Sequence, residues 1–243
     1  MKKIAVIPAR FAATRFPGKL MQRIGDKTII RMVYENVLEM GLFDDVIVVT
    51  DNDNIIEEIT PINGTVVKST KDHPSGSDRI AEAIMNMDVD VVVNVQGDEP
   101  FVNKDPLEKL IGVFNDASVE VASVMQKLGP DEDINNPNFV KVVCDKNSNA
   151  LYFSRSPIPY KRNLQSSLPI YKHVGVYAFR KNTLLSFTKW PMGVLEQTEM
   201  LEQLRYLENG VKIKMIETTS TSIGIDTPED LEKAKLFFAS KNK

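Results

Sequence analysis

Three cations fall within ten residues near the start of the chain: Arg10, Arg15 and Lys19, in the segment IPARFAATRFPGK over residues 7–19. Ala9, Ala12, Ala13 and Gly18 between and around them are small enough to let backbone N–H groups approach a ligand. Cations together with open amides suit a triphosphate. The segment is not a Walker loop, because Gly18-Lys19 is followed by Leu20 and no glycine stands five residues earlier. The plainer alternative is a solvated basic loop with a proline turn. A second segment, NVQGDEP over residues 94–100, closes an apolar run with two carboxylates. Asp98 can ligate magnesium, whose hard shell prefers carboxylate and phosphate oxygens, or can serve as a plain helix cap. Gly97 lets the backbone pass close to a ligand.

Three further groups carry potential chemistry. GIDTPED over residues 224–230 sets Asp226 just outside a well-capped helix. Asp in that place is ordinary N-terminal chemistry, and it gains a ligand role only as the partner of Asp98. HPSGSDR over residues 73–79 is a glycine turn feeding a helix. Ser75, Gly76 and their backbone could recognise a base and ribose, with Arg79 in the first turn, while Ser77 reads as the helix cap. In the second half, Arg155 can pair with a substrate carboxylate through its planar fork. His173 and Tyr177 stand four apart around Gly175, so on a strand both face one side. The chain has two histidines and no HxxH or cysteine partner for them, which argues against zinc. Asp51, at the end of another apolar run, reads as the cap of a helix over 52–59.

The elements that must position these residues follow from hydrophobic periodicity. Continuous Val/Ile runs at 3–8, 46–50, 66–68, 90–96 and 119–125 read as buried strands. Helical stripes at 28–40, 54–59, 77–87 and 106–114 alternate with them. That order predicts an α/β fold with a mostly parallel nucleotide-binding sheet flanked by helices. The segments at 7–19 and 94–100, with Asp51, then fall at the carboxyl edge of the sheet, where open α/β folds bind ligands. From 139 the pattern changes. Strands at 139–144, 151–154 and 174–179 come without intervening helices, the first two joined by a DKNSN turn as a hairpin. A helix over 195–208 ending at Asn209-Gly210, a strand at 211–216 and a helix capped by Thr227 complete the chain. The expectation is a single domain over 1–243, with a smaller inserted mixed-sheet lobe at about 135–180. Val174, Val176 and Phe179 lack a covering helix in the sequence, which marks the lobe as the place for the interface of the homodimer that the family resemblance given below implies.

Composition narrows the partners. The chain has 243 residues, 42% hydrophobic, enough for a full core. Thirty basic residues are scattered and offset by thirty-three acidic ones, for a net charge of -3. No nucleic-acid partner is expected, and an anionic ligand must be held by a local cluster. One cysteine, Cys144, excludes an internal disulfide and suits a reducing compartment. The apolar start is shorter than a signal-peptide core, and no apolar run reaches membrane length. The expectation is a soluble cytoplasmic protein with no membrane partner.

Taken together, IPARFAATRFPGK, HPSGSDR, NVQGDEP, YFSRSPIP, HVGVYAF, LEQLR and GIDTPEDL resemble the 3-deoxy-manno-octulosonate cytidylyltransferase family, in its order and spacing and nearly end to end. Ser77 stands where threonine is usual, keeping the hydroxyl, and Leu20 where proline often follows the lysine. The resemblance implies transfer of a cytidylyl group from CTP to the sugar acid Kdo, giving CMP-Kdo and pyrophosphate for lipopolysaccharide biosynthesis. It implies Mg2+ held by Asp98 and Asp226, with Arg10, Arg15 and Lys19 on the phosphates. It also implies Ala9, Ser75, Gly76 and Arg79 at the nucleotide, and Gln96 between nucleotide and sugar. Arg155, His173, Tyr177, Glu202 and Gln203 would line the sugar pocket of a homodimer. A relative specific for another acid sugar, a non-catalytic nucleotide binder, and a glycosyltransferase using Asp51-Asn-Asp53 as a DxD motif are the competing readings. Pyrophosphate release from CTP without an acceptor nucleotide-sugar separates a cytidylyltransferase from the glycosyltransferase.

Overall fold

The computed structural model describes residues 1–11, 16–73, 75–163, 165, 167–220 and 223–241. The chain divides into two compact units, Met1–Lys104 with Thr221–Lys243, and Asp105–Ser220. The first begins with β1 (Lys3–Ala9), a short ribbon of β2 (Arg23–Ile24) and β3 (Lys27–Thr28), and helix α1 (Ile29–Glu39). β4 (Asp45–Thr50), α2 (Asp53–Ile59), β5 (Thr65–Lys68), α3 (Gly76–Ile84) and β6 (Val91–Asn94) follow. β6, β1, β4 and β5 lie side by side in that order, all parallel. Ile4–Ile7 and Val91–Val93 are sealed from solvent, as continuous Val/Ile strands covered on both faces must be. Thr28 caps α1 by accepting from the Arg31 N–H at 3.3 Å, and Ile29, Ile30, Val33 and Val37 form its buried stripe.

Register fixes where the strands deliver their ends. Ala9 pairs with Thr50, so β1 and β4 finish level, and Arg10 and Asp51 leave the sheet side by side in the chain's order. β6 ends opposite Val6, and the chain beyond it runs on past Pro8. A Cβ on Gly97 would stand 3.2 Å from the Pro8 carbonyl oxygen, so only glycine passes there without a shift.

The second unit takes most of α4 (Lys104–Gly112), then β7 (Val121–Lys127), β8 (Lys141–Cys144), β9 (Ala150–Ser154) and β10 (Tyr171–Arg180). Helices α5 (Lys181–Phe187), α6 (Val194–Glu199) and α7 (Leu204–Glu208) precede β11 (Ile213–Thr218). β11 runs parallel to β7, β7 antiparallel to β10, and β10 antiparallel to β8. β8 and β9 form the expected hairpin, its turn closed by the Asp145 carboxylate on the Asn147 and Asn149 N–H groups at 2.8 Å. The unit is wider than the expected lobe at 135–180, because the lobe's strands share their sheet with β7 and β11 on either side in sequence. Helix α8 (Pro228–Lys241) belongs to the first unit. Thr227 and Asp230 cap it reciprocally at 3.1 and 3.2 Å.

Three local expectations change. The helix over 195–208 is two short helices, α6 and α7, because Met200 between them takes a left-handed conformation with φ 54. Val176 and Phe179 are 5% and 1% exposed, not open. Unforeseen helix α5 brings Phe187 against Tyr206, which stacks in turn on Phe179, at centroid distances of 4.4 and 5.8 Å. The large apolar side chains that the second unit does leave open include Leu151, Met192, Val194 and Met200. Finally, Ser75 rather than Ser77 caps α3, accepting from the Asp78 N–H at 3.2 Å, and Ser77 is buried.

Candidate active site

In the first unit, a hollow of about 250 Å³ is lined by Pro8, Arg10, Lys19, Leu20, Gly76, Gln96, Gly97 and Asp98. Lys19 reaches it from a turn in which Gly18 holds φ 67, a left-handed conformation glycine adopts freely. Its ammonium sits 2.5 Å from Asp98 Oδ2 and 2.9 Å from Asp226 Oδ1. Burial alone would lower the Lys19 pKa, but Asp98 and then Asp226 outweigh it and the group titrates above its ordinary range. Asp226 is brought there by the main chain, since the Ile225 N–H donates to the Asp98 carbonyl at 3.0 Å. Two carboxylates distant in sequence thus share one cation. A larger hollow of about 710 Å³, lined by Glu35, Asn36, Phe101 and Lys104 among others, gathers none of the candidate residues.

Arg10 donates through Nη2 to the His73 carbonyl at 2.6 Å. The segment carrying that carbonyl is fastened by Glu82 of α3, which accepts from Thr70 Oγ1 at 2.7 Å and Ser69 Oγ at 2.8 Å and meets His73 Nε2 at 2.7 Å. The Thr70 hydroxyl above all, with His73 and Ser69, holds the Glu82 carboxyl down at about 2. Arg79 is 2% exposed and its Nη2 donates to Asp51 at 3.0 Å. Its Nε and Nη1 are buried without an acceptor among the described residues. Asp51 is therefore the partner of Arg79, while Asn52 caps α2. Gly76 opens α3 with its Cα side toward Pro8, and Ala9 is fully buried at the end of β1. Arg15 lies outside the described residues.

The second unit assembles the other candidates. On a regular strand, residues four apart stand roughly 13 Å apart. Here the His173 and Tyr177 rings lie 5.2 Å apart, because β10 bulges between Val174 and Tyr177. Ser123 of β7 serves the bulge: its hydroxyl lies 2.8 Å from the Val176 carbonyl and 3.0 Å from His173 Nε2. His173 packs edge-on to Phe153 as well, and burial pushes its pKa down to about 4. Burial, and then the charge of Glu202, pushes the Tyr177 phenol well above its ordinary value. Gln203 is 7% exposed, and its side-chain nitrogen has no acceptor among the described residues. Arg155 directs three donors to main-chain carbonyls of Pro137, Glu199 and Met200.

The cytidylyltransferase family model matches residues 4–213. The 3-deoxy-manno-octulosonate cytidylyltransferase of Flavobacterium johnsoniae is 56% identical over 238 residues, covering 97% of this chain and 98% of its own. That of Christiangramia forsetii is 54% identical, covering 96% and 95%. The chain belongs to the 3-deoxy-manno-octulosonate cytidylyltransferase family. A solved CMP:2-keto-3-deoxy-manno-octonic acid synthetase complexed with CTP superposes with a TM-score of 0.94 at 37% identity, covering 99% of this chain and all of that one. The fold is also that of 4-diphosphocytidyl-2C-methyl-D-erythritol synthase from Anaerococcus prevotii, at 16% identity and a TM-score of 0.66.

Within this family member, the sequence reading named Arg10, Lys19, Gly76, Gln96, Gly97 and Asp98 among the residues lining the first unit's hollow, read Asp51 as a helix cap, and did not name Glu82, Ser123 or Glu199. Asp51 stands at the end of a buried strand, the same kind of place as Asp98, and that position was the available signal. Glu82, Ser123 and Glu199 gave none, because each acts on a segment remote in sequence. His173 supplies a test. Its folded pKa of about 4 lies below the ordinary 6.5, so the unfolded chain takes the proton first. The stability it contributes is full above pH 6.5 and is lost as pH falls toward 4. With part of the residue open to solvent, that loss should be about 2 kcal/mol. Urea unfolding at pH 7 and pH 4 should therefore show a smaller acid loss, by that amount, in His173→Gln than in the parent. Equal losses would mean that the ring is not held neutral.

Proposed function

We propose that the protein transfers the cytidylyl group of CTP to the anomeric hydroxyl of 3-deoxy-D-manno-octulosonate (Kdo), releasing pyrophosphate and forming CMP-Kdo. The observation that carries this reading is the Lys19 ammonium held between Asp98 and Asp226 beside a hollow that also takes Arg10, Gly76 and Gln96. In-line displacement at the α-phosphorus needs no covalent nucleophile, only alignment and charge neutralisation. Lys19 and Arg10, with Arg15, meet the triphosphate and the charge that grows on the leaving pyrophosphate. Arg79, with two buried donors unmatched among the described residues beside the Ser75–Gly76 turn, meets acceptors of the nucleotide. His173, Tyr177, Glu202 and Gln203 read the sugar. His173 does so as a neutral ring, since it stays unprotonated at neutral pH.

Asp98 and Asp226 form a hard oxygen donor pair with no nitrogen or sulfur ligand, which fits Mg2+ that takes its remaining ligands from water and phosphate. Bound there, Mg2+ would neutralise triphosphate charge and lower the pKa of the attacking hydroxyl. No helix among the described residues is long and apolar enough to cross a membrane, which fits catalysis on soluble substrates in the cytoplasm. We further propose a homodimer paired through the second unit, supported by the large apolar side chains it exposes, such as Leu151 and Val194 at 62% and 74%.

A coupled pyrophosphate assay across four nucleotides and several acid sugars tests the activity, with CTP and Kdo expected to give the highest kcat/KM. In that assay Asp98→Asn should lose at least about 100-fold in kcat while melting like the parent, and raising Mg2+ should recover little. Lys19→Ala should lose more in kcat than in KM for CTP, because its charge matters most as pyrophosphate leaves. An Asp98→Asn enzyme of near-parental kcat would remove the metal reading. Sedimentation at micromolar concentration should give a dimer mass, and a stable monomer would rule the pairing out.

A further inference from the structure

His173 has one ring proton to place. Burial pushes its pKa down to about 4, so at neutral pH the imidazole is uncharged, with one nitrogen a donor and the other an acceptor. Its neighbour Ser123 of β7 limits the choice. The Ser123 hydroxyl lies 2.8 Å from the Val176 carbonyl, 3.4 Å from the Val174 carbonyl and 3.0 Å from His173 Nε2. A carbonyl oxygen only accepts, and a hydroxyl has one proton to give. Were that proton turned to Nε2, the Ser123 and Val176 oxygens would face each other at 2.8 Å with no hydrogen between them. Turned to Val176, it leaves the serine oxygen free to accept from an Nε2–H, and both contacts become hydrogen bonds. Nδ1 is then the bare nitrogen, and it has no hydrogen-bond partner among the described residues.

The surroundings keep this arrangement in place. Val174 lies opposite Val124 and Tyr177 opposite Ser123, so Val176 sits in the bulge with no opposite residue on β7. The Ser123 hydroxyl gives the Val176 carbonyl a donor from β7 where the register is interrupted. Ser123 is 0% exposed and cannot touch a substrate itself, whereas His173 is only half-buried. The imidazole stands edge-on to Phe153 and tilted against Tyr177, each with centroids 5.2 Å away, which fixes the plane of the ring. We infer that Ser123 is a positioning residue that holds His173 in its Nε2–H tautomer, so that the ring offers the acceptor sugar a bare Nδ1 and reads a hydroxyl hydrogen there. Such a nitrogen accepts from a hydroxyl or an amine and repels a carboxylate, which has no hydrogen to offer. This rests on the reading of the second unit as the sugar-binding part.

NMR of the ring nitrogens in histidine-labelled protein, with steady-state kinetics in Kdo at saturating CTP, tests the inference on Ser123→Ala, Ser123→Thr, His173→Asn and His173→Gln. In the parent at neutral pH, His173 should show a protonated Nε2 and a bare Nδ1, its signals being those that disappear in His173→Gln. Ser123→Ala should lose that preference and raise KM for Kdo about 3- to 30-fold, with KM for CTP within about twofold. Ser123→Thr keeps the hydroxyl, so it should keep the tautomer and, within about threefold, the parental KM. The asparagine amide oxygen stands where Nδ1 does, whereas a glutamine amide reaches only the place of Nε2. His173→Asn should therefore show a KM for Kdo at least about threefold below that of His173→Gln. The parent spectrum and these two variants carry the test if Ser123→Ala does not fold. A protonated Nδ1 in the parent, an unchanged tautomer in Ser123→Ala, or a lower KM in His173→Gln than in His173→Asn would overturn the inference. A tautomer that depends on Ser123, with KM for Kdo unchanged in both His173 variants, would instead overturn the reading of His173 as a sugar contact, while Ser123 still placed the proton.

Discussion

Lys19, Asp98 and Asp226 are a problem in electrostatics before they are a site. Two carboxylates drawn together repel, and burial by itself would lower the pKa of a half-buried ammonium. Joined at 2.5 and 2.9 Å, each removes the other's penalty, and Lys19 stays charged despite its burial. The arrangement dictates much of the first unit. Gly18 must turn left-handed to aim the lysine, Gly97 must pass the Pro8 carbonyl without a side chain, and the Ile225 N–H must bond the Asp98 carbonyl to bring Asp226 in. On the proposed reading, a triphosphate would meet the ammonium in place of the carboxylates, and these would then be free for a cation. Preorganisation of this kind is what electrostatic catalysis requires.

The second unit solves a different problem, that of presenting polar groups from within an aromatic core. Tyr177, Phe179, Tyr206 and Phe187 stack in succession, and Arg205 lies 4.2 Å over the last ring while its charge is matched by Glu196. Into this stack β10 inserts its bulge, which turns two residues of a strand into neighbours. A buried ion pair is weak evidence for stability and better evidence for specificity of arrangement. Here the Glu196–Arg205 pair and the bonds of Arg155 specify one geometry for the only interruption between α6 and α7.

What could be read from the sequence follows from how local each signal is. The strands β1, β4 and β6 declare themselves through unbroken Val/Ile runs, and the sheet edge then locates Lys19, Asp98 and Asp226. The cap of α8 is equally local, written in Thr227, Pro228 and Asp230. By contrast, the pairing of Asp51 with Arg79 spans 28 residues and that of Arg155 with Glu199 spans 44. No periodicity carries such information. The helix expected over 195–208 failed for the same reason. Its residues are acceptable helix formers, and what breaks it is the left-handed conformation of Met200, whose carbonyl and that of Glu199 are bonded by Arg155 beyond β9. Phe179 is closed off by a stack through Tyr206 to Phe187 of α5, partners remote enough in sequence that periodicity does not announce them.

Arg79 shows how a site can be legible in the residues a fold leaves unsatisfied. A buried donor without an acceptor costs roughly 1–3 kcal/mol, and Arg79 carries two such atoms among the described residues at 2% exposure. Folding could have avoided that cost by placing a leucine there or by supplying a second carboxylate. Asp51 instead fixes one edge of the guanidinium and leaves the other donors unmatched. Acceptors arriving with a ligand would remove the penalty on binding, so the free protein's cost becomes discrimination: a ligand whose acceptors do not match the fixed donors leaves the penalty in place. The argument depends on Asp51 keeping its charge, and Arg79 itself holds the Asp51 carboxyl below its ordinary range. The direction of the guanidinium's other donors is thereby set before any ligand arrives.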